Sequence, residues 1–120
     1  MKICLCGSFD DADKIYETAK KLLLHNEVLT PAFYLGRRPN PKEQLHLMRA
    51  HFSRIDISDE VLFIFESKVG TNTLLELGYA YALDKTIRIY VNECLTAPDE
   101  LESFFTFVDT DLDKIINGMT

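Results

Sequence analysis

Residues 61–85, VLFIFESKVGTNTLLELGYAYALDK, constrain the fold more than any other part of the chain. The apolar run at 61–65 is typical of a strand that is buried on both faces of a parallel sheet. Gly70 marks a turn after this run, and we predict a helix over residues 73–83. A helix that begins just beyond the carboxyl end of a strand lies where open α/β sheets bind their ligands.

Apolar runs and helical patterns alternate along the rest of the chain. We predict further strands at residues 3–6, 27–30, 86–91 and 104–108, and a short helix or a frayed end at 111–119. A helix capped by Ser8 or Asp10 follows the first strand, and its apolar stripe includes Leu23. A second helix begins at Asn40 with the pattern of a capping box, and its apolar stripe includes Leu45.

This alternation predicts a fold class. Strands that are joined through helices form right-handed crossovers and a parallel sheet with helices on both faces. We therefore expect one domain over residues 1–120, an α/β three-layer sandwich with a doubly wound, mostly parallel five-stranded sheet in the order 2-1-3-4-5.

The charge distribution limits the partners. A net charge of −6 argues against binding to a nucleic acid polymer or to an anionic membrane. Basic residues nevertheless collect over 37–54, and acidic residues collect from Ala97 onward. No run reaches transmembrane length and the first strand begins directly after Met1, so we expect a cytoplasmic protein.

Three cysteines, Cys4, Cys6 and Cys94, form an odd set. We expect Cys4 and Cys6 to point to opposite faces of their strand, so the three cysteines lack the spacing of metal ligands. We therefore interpret all three as reduced core residues, and we expect no metal site and no cofactor.

Glu76 is the strongest candidate for a functional residue. Thr73 and Glu76 have the spacing of a capping box, in which Glu76 would only bond the amide of Thr73. In the first turn of a helix, the positive end of the helix dipole would also favour an ionised carboxylate, as a glycosyl-transfer nucleophile requires. Gly70, Thr71 and Asn72 would let a ligand approach the backbone closely. On these grounds Glu76 could be a helix cap, a ligand contact or a nucleophile.

The turn after the first strand, Gly7-Ser8-Phe9, carries neither GxGxxG nor GxxxxGK[ST], which argues against dinucleotide and P-loop binding. Asp10 and Asp11 load the following helix with negative charge, which would repel a phosphate. This turn either is capped by its acids or receives the hydroxyl groups of a neutral sugar.

An imidazole and two carboxylates, His51, Asp56 and Asp59, precede the third strand. They either satisfy turn amides and border the apolar stripe or take part in chemistry. Aromatic side chains that could stack on a nucleobase, or only pack in the core, are Phe9, Phe33, Tyr34 and Tyr79.

Four segments in order, CGSFD, EVLTP, IDISDEVLFIF and GTNTLLELGYAYAL, resemble the nucleoside 2-deoxyribosyltransferase superfamily, which includes the 2'-deoxynucleoside 5'-phosphate N-hydrolases. The resemblance covers about the first three quarters of the chain, and ELGYA is its most specific part. It implies a flavodoxin-like domain that cleaves or transfers the N-glycosidic bond of a nucleoside or nucleotide without a cofactor. Glu76 matches the family nucleophile, which attacks C1' of the deoxyribose and forms a glycosyl-enzyme that a second base or water resolves.

The resemblance also implies a set of site residues. The substrate-binding positions would be Gly7, Ser8, Phe9, Asp59, Gly70, Thr71, Asn72, Thr73 and Tyr79. The family acid is usually an Asp eight positions before Asp59, where this chain has His51, so either His51 or Asp56 takes that role.

The resemblance also bears on phosphate binding and on the oligomeric state. The Gly/Arg-rich loop of the nucleotide hydrolases is missing, so a 5'-phosphate would need Arg37, Arg38 or Arg54, or a neighbouring subunit. Family members often complete their pockets across a dimer interface, which implies a homodimer or a higher even-numbered oligomer with the loop at 34–39 near the pocket. The alternatives to an enzyme are a catalytically weak nucleotide-binding or sensing module, which His51 at the acid position favours, and an interaction domain in which Glu76 is only a cap.

Overall fold

A computed structural model describes residues 1–33 and 37–119. Their strands form one parallel sheet in the order β2-β1-β3-β4-β5. The strands are β1 (Lys2–Gly7), β2 (Glu27–Leu29), β3 (Glu60–Phe65), β4 (Thr86–Val91) and β5 (Phe107–Asp109). The predicted class and strand order are confirmed, and every strand pair is parallel. Tyr34 and part of the loop at 34–39 lie outside the described residues.

Helices cover both faces of the sheet. They are α1 (Ala12–Leu22), α2 (Pro41–Asp56), α3 (Thr71–Ala82), α4 (Glu100–Phe104) and α5 (Leu112–Gly118), and a 3-10 turn, Phe9–Asp11, precedes α1. One core cluster joins the sheet to α2, α3 and α4, and the other joins it to α1 and α5. Within the described ranges, none of the helices is both long and apolar enough to span a membrane.

The side chains of β1 alternate between these two clusters. Ile3 and Leu5 pack with α1, whereas Cys4 and Cys6 both face α2 and α3. The prediction that Cys4 and Cys6 point to opposite faces is therefore wrong, because residues two apart on a strand share a face. Cys94 is exposed and is not a core residue.

The start of α3 differs from the prediction. Gly70 is the N-cap, and its carbonyl accepts the first helical hydrogen bond from the amide of Leu74 at 3.1 Å. The helix thus begins two residues before Thr73. The predicted capping box of Thr73 and Glu76 does not form, and Glu76 lies in the second turn.

The start of α1 also differs from the prediction, whereas the start of α2 agrees with it. The N-cap of α1 is Asp11 rather than Ser8 or Asp10, because the 3-10 turn delays the helix. The capping box of Asn40 and Glu43 on α2 is confirmed.

The C-terminal third and two apolar stripes also differ in detail. Phe104, which was predicted to begin the last strand, instead ends α4, a helix that packs Leu101 into the core. The last strand is therefore shorter than predicted, and the final segment is helical. Leu23 and Leu45, which the sequence placed on apolar stripes, are exposed.

The sheet topology creates a crevice. From β1 the chain moves to β2 on one side, and it later returns to β3 on the other side of β1. Because α1 and α3 leave β1 and β3 toward opposite faces of the sheet, their N-terminal ends diverge. The space between them at the carboxyl edge is the expected ligand position in this class of sheet.

Two glycines should respond in opposite ways to substitution by alanine. A Cβ at Gly7 would lie 2.6 Å from Cδ1 of Ile15 and 3.1 Å from the backbone oxygen of Ile64, so Gly7→Ala should lower the free energy of unfolding by about 1–3 kcal/mol. A Cβ at Gly78 would meet nothing within 4 Å, so Gly78→Ala within α3 should raise it by about 1 kcal/mol. Urea unfolding of both variants measures the two effects, and changes of the same sign would contradict the packing at Gly7.

Candidate active site

A cavity of about 290 Å³ lies beyond the carboxyl ends of β1 and β3. The turn after β1, the segment after β2, helix α2 and the start of α3 line it. Nine predicted site residues meet there: Gly7, Ser8, Phe9, His51, Gly70, Thr71, Asn72, Thr73 and Glu76. The sequence segments that were singled out for a ligand site therefore converge on one pocket.

Three predicted residues, Asp56, Asp59 and Tyr79, do not line this pocket. Asp56 ends α2 and accepts a hydrogen bond from the Tyr79 hydroxyl at 2.5 Å, and the Tyr79 ring stacks on Phe52 at 4.2 Å between centroids. Asp59 lies just before β3 and accepts from the amide of Lys2 at 2.8 Å. Both carboxylates belong to the amino edge of the sheet, because parallel strands all begin there.

Glu76 and His51 are the buried polar pair of the pocket wall. Glu76 is 7% exposed and His51 is 2% exposed. Oε2 of Glu76 lies 3.8 Å from Nε2 of His51. Burial raises the pKa of Glu76 to about 7, although the charges of His51 and Arg54 act in the opposite direction. Glu76 lies beyond the first turn of α3 and not in it as predicted, so the helix dipole acts on it weakly and burial is the largest influence on its pKa.

The ring of His51 has partners on both nitrogens. Nε2 lies 2.9 Å from the backbone oxygen of Leu5 and 3.2 and 3.5 Å from the sulfurs of Cys6 and Cys4. Nδ1 lies 3.4 Å from a guanidinium nitrogen of Arg54. Because a carbonyl only accepts and a guanidinium only donates, these contacts favour the neutral tautomer with its proton on Nε2.

The protonation of His51 is balanced between opposing influences. Burial and the charge of Arg54 lower its pKa. The hydrogen bond with Cys4 and the charges of Cys4 and Glu76 raise it, and they outweigh the first two. The pKa of His51 is therefore raised from its ordinary value, which favours a proton on the imidazole next to Glu76.

Asp11 holds the two loops of the pocket together, a role that sequence reasoning missed. Its buried carboxylate accepts hydrogen bonds from the amides of Glu66 at 3.2 Å and Ser67 at 3.0 Å. The turn after β1 is thereby tied to the loop that leads into α3. The sequence shows only an acid near a helix start, because its partners lie 55 and 56 residues away.

Charged side chains occupy the mouth of the pocket. The carboxylate of Asp10 accepts hydrogen bonds from Nζ of Lys68 at 3.0 Å and from Arg38, whose guanidinium lies over the Phe9 ring. The hydrogen bond from Lys68 is the main reason why the pKa of Asp10 is lowered. Of the three arginines named for a phosphate, Arg38 lines the pocket, whereas Arg37 pairs with Glu43 and Arg54 contacts His51.

Aromatic and hydroxyl groups provide further contacts for a ligand. The rings of Phe9 and Phe33 line the pocket and meet edge to face, with centroids 5.8 Å apart. The Ser8 hydroxyl is buried and has no hydrogen-bond partner among the residues that the structure describes. A buried hydroxyl without a partner is costly, so a ligand that bonds Ser8 would remove that cost.

Two solved structures have a similar arrangement of strands and helices. A 2-deoxyribosyltransferase from Bacillus psychrosaccharolyticus matches with a TM-score of 0.72 and 17% identity, over 98% of this chain and 91% of that chain. A CMP N-glycosidase from Clostridium botulinum matches with a TM-score of 0.65 and 14% identity, over 99% of this chain and 98% of that chain. The chain has the deoxyribosyltransferase fold. No protein-family model and no curated protein matches the sequence.

Because the pKa of Glu76 is raised, we expect the free energy of unfolding of this deoxyribosyltransferase fold to depend on pH. Below pH 4.5 the carboxyl is protonated in both the folded and the unfolded chain, and its contribution to stability is fully present. That contribution is lost as the pH rises through about 7. Glu76→Gln should therefore be more stable than the parent by up to about 3 kcal/mol at pH 8, and the difference should vanish near pH 4.

Urea unfolding at several pH values measures this difference. Glu17→Gln, which alters an exposed carboxylate on α1, is the matched control and should show no such trend. A Glu76→Gln variant that is less stable than the parent at pH 8 would contradict the burial argument.

Proposed function

We propose that the chain is an enzyme of the nucleoside 2-deoxyribosyltransferase superfamily that cleaves or transfers the N-glycosidic bond of a nucleoside or nucleotide. The observation that carries the proposal is the buried Glu76 in the pocket at the carboxyl edge of the sheet. The chain that carries Glu76 is similar in fold to a 2-deoxyribosyltransferase and a CMP N-glycosidase. The sequence resemblance around ELGYA supports the same assignment independently of the structure.

Glu76 is the proposed nucleophile. A carboxylate oxygen attacks C1' of the sugar, the C1'–N bond breaks, and both electrons of that bond leave with the base. The resulting glycosyl ester is resolved by water in a hydrolase or by a second base in a transferase. An ionised Glu76 also stabilises the positive charge that develops on the sugar before the ester forms.

His51 is the proposed acid that protonates the departing base. Asp10 is a poor candidate because Lys68 and Arg38 keep its pKa low, so it stays ionised. Asp56 lies at the far end of α2, outside the pocket. An imidazole with a raised pKa close to Glu76 can carry the proton that the leaving base requires.

The rest of the pocket suits a ligand with a base and a sugar. A volume of about 290 Å³ lies at the small end of the range for ligand pockets and accommodates a molecule of nucleoside size. Phe9 and Phe33 provide aromatic surface for a base, and the Ser8 hydroxyl is available to a sugar hydroxyl. A 5'-phosphate would have to take Arg38 and Lys68 from Asp10, so nucleosides and their 5'-monophosphates should be compared directly.

A second subunit would complete the site. The cavity is open to solvent, and water inside it would weaken each electrostatic contact with the sugar. A homodimer or higher even-numbered oligomer, in which a partner covers the mouth, is the arrangement that we propose.

Glu76→Ala should abolish release of free base from any substrate of the native protein. Chromatography after incubation with deoxynucleosides, ribonucleosides and their 5'-monophosphates detects the base. Glu17→Ala, on the exposed face of α1, is the matched control and should keep native turnover. Native turnover in a folded Glu76→Ala variant would refute the nucleophile assignment.

His51→Gln should slow natural substrates by about 100-fold or more, since proton donation contributes on that scale. Substrates with an activated leaving group should be much less affected, because they leave without a proton. Asp56→Asn serves as the comparison and should leave both substrate types near native rates. Equal losses on both types in His51→Gln would rule out an acid role for His51.

A catalytically weak nucleotide-binding module is the second candidate. It is favoured by one observation: among the described pocket residues, no second carboxyl group with a raised pKa faces Glu76. Tight binding of a nucleotide without release of base, under conditions that saturate the protein, would support this module over the enzyme.

A further inference from the structure

Three residues that were not expected to meet form a buried cluster behind the pocket. Cys4 and Cys6 project from β1 toward His51 on α2, and the three side chains are all buried. Their sulfur and nitrogen atoms lie within 4.8 Å of one another. Nε2 of His51 is 3.2 Å from the sulfur of Cys6 and 3.5 Å from that of Cys4.

The two distances from Nε2 of His51 to the sulfurs match those between the ligands of a bound metal ion. Zinc bonds to thiolate and imidazole are about 2.0–2.3 Å long, so ligand atoms at tetrahedral angles lie about 3.5 Å apart. Oε2 of Glu76 lies 3.8 Å from Nε2 of His51 but outside this three-residue cluster, so its side chain would have to move toward the sulfurs to supply a fourth ligand. The four groups come from β1, α2 and α3, which the core packs together.

We propose that Cys4, Cys6 and His51 form a Zn²⁺ site, with Glu76 as the fourth ligand. The donor set is of the soft kind that selects zinc over magnesium or calcium, since both of the latter prefer oxygen. Two thiolates neutralise the ion, and a neutral imidazole adds no charge. The further negative charge of Glu76 is offset by Arg54, whose positive charge acts on both Glu76 and Cys4.

Both thiols must lose their protons when the ion binds. The hydrogen bond from Cys6 is the main cause that lowers the pKa of Cys4 to about 6, and burial opposes it. Burial raises the pKa of Cys6, so Cys6 would release its proton only when the metal arrives. Zn²⁺ affinity should accordingly increase with pH.

Binding requires one rearrangement at His51. Nε2 must transfer its proton to Nδ1 and exchange its contact with the Leu5 oxygen for the metal. The half-buried Arg54 must then give up its 3.4 Å contact with Nδ1. Zn²⁺ reaches the cluster from the pocket, because His51 and Glu76 line the pocket while Cys4 and Cys6 are fully buried.

Occupancy of this site would have a functional consequence. A Glu76 carboxylate that coordinates Zn²⁺ cannot attack a sugar, and a metal-bound His51 cannot deliver a proton. The metal would therefore inhibit the reaction proposed above, and a chelator would restore it. This consequence rests on the proposed function, whereas binding itself does not.

Titration of the chelator-treated protein with Co²⁺ alone and then Zn²⁺ alone tests the proposal. One equivalent of Co²⁺ should bind and give thiolate-to-cobalt charge-transfer absorption with the visible bands of a tetrahedral ion. Zn²⁺, which has a filled d shell, should abolish both. Cys6→Ser should weaken Zn²⁺ binding by about 100-fold or more.

Cys94→Ser is the matched control, because Cys94 is exposed and lies outside the cluster, and it should bind like the parent. No thiolate-to-cobalt absorption in the native protein at millimolar Co²⁺ would overturn the proposal, whether or not any variant folds. Zn²⁺ binding that Cys94→Ser abolishes would overturn it as well. None of these measurements uses a substrate, so they separate failure of the metal site from failure of the proposed function.

Discussion

The buried contact between the Glu76 carboxyl and the His51 imidazole is the constraint on which the chemistry of the pocket depends. Burial makes a charge on Glu76 costly, and the same burial makes a charge on His51 costly unless a negative group faces it. A proton moved from Glu76 to His51 creates a close pair of opposite charges in place of two neutral groups. That charged form is the one that a nucleophile and an acid need together. Because the charge of each group acts on the other, the pH dependence of the proposed reaction should reflect both groups.

The packing of the helices on the sheet holds Glu76 and His51 in contact. His51 comes from a helix that packs on β1 and β3, and Glu76 comes from the helix that follows β3. Asp11 joins the turn after β1 to the loop before α3 through two backbone amides, which limits how far the pocket walls can separate. Gly7 permits the close approach of Ile15 beneath the same turn. Small changes at these positions would move Glu76 relative to the rest of the pocket, and in enzymes displacements of about 1 Å can cost much of a catalytic rate.

The strands and their order were predictable from the sequence, because each is an apolar run between turn signals and the crossover rule leaves few topologies. The gathering of Gly7, Gly70 and Glu76 was predictable for the same reason, since each follows the carboxyl end of a strand. The start of α3 was not, because Gly70 and Thr73 are both good N-caps and the choice depends on how β3 delivers the chain.

Asp56 shows a different limit of sequence reasoning. It lies five residues after His51 on α2, and both were candidates for the acid, with the family chemistry favouring the carboxyl of Asp56. Helix α2 runs from the pocket toward the amino edge of the sheet, so His51 reaches Glu76 while Asp56 ends at the opposite edge with Tyr79. Direction along the sheet, which follows from tertiary packing, thus brings only His51 of the two to Glu76. The contacts of His51 with Cys4 and Cys6 span 47 and 45 residues and could not be inferred from spacing within one segment.

At the thiols of Cys4 and Cys6, protons and a metal ion would compete for the same atoms. A buried cysteine packs like a small apolar side chain, but its sulfur is also a weak hydrogen-bond donor and a metal ligand. With sulfur there, Nε2 of His51 faces donors and acceptors that can be bridged by a proton or by a metal ion, and each excludes the other. On the two proposals, the protonated arrangement would leave Glu76 available to a substrate, whereas the metal-bound arrangement would engage it. The same four side chains would then serve either glycosidic chemistry or metal binding, and the relative supply of protons and Zn²⁺ would set the balance between them.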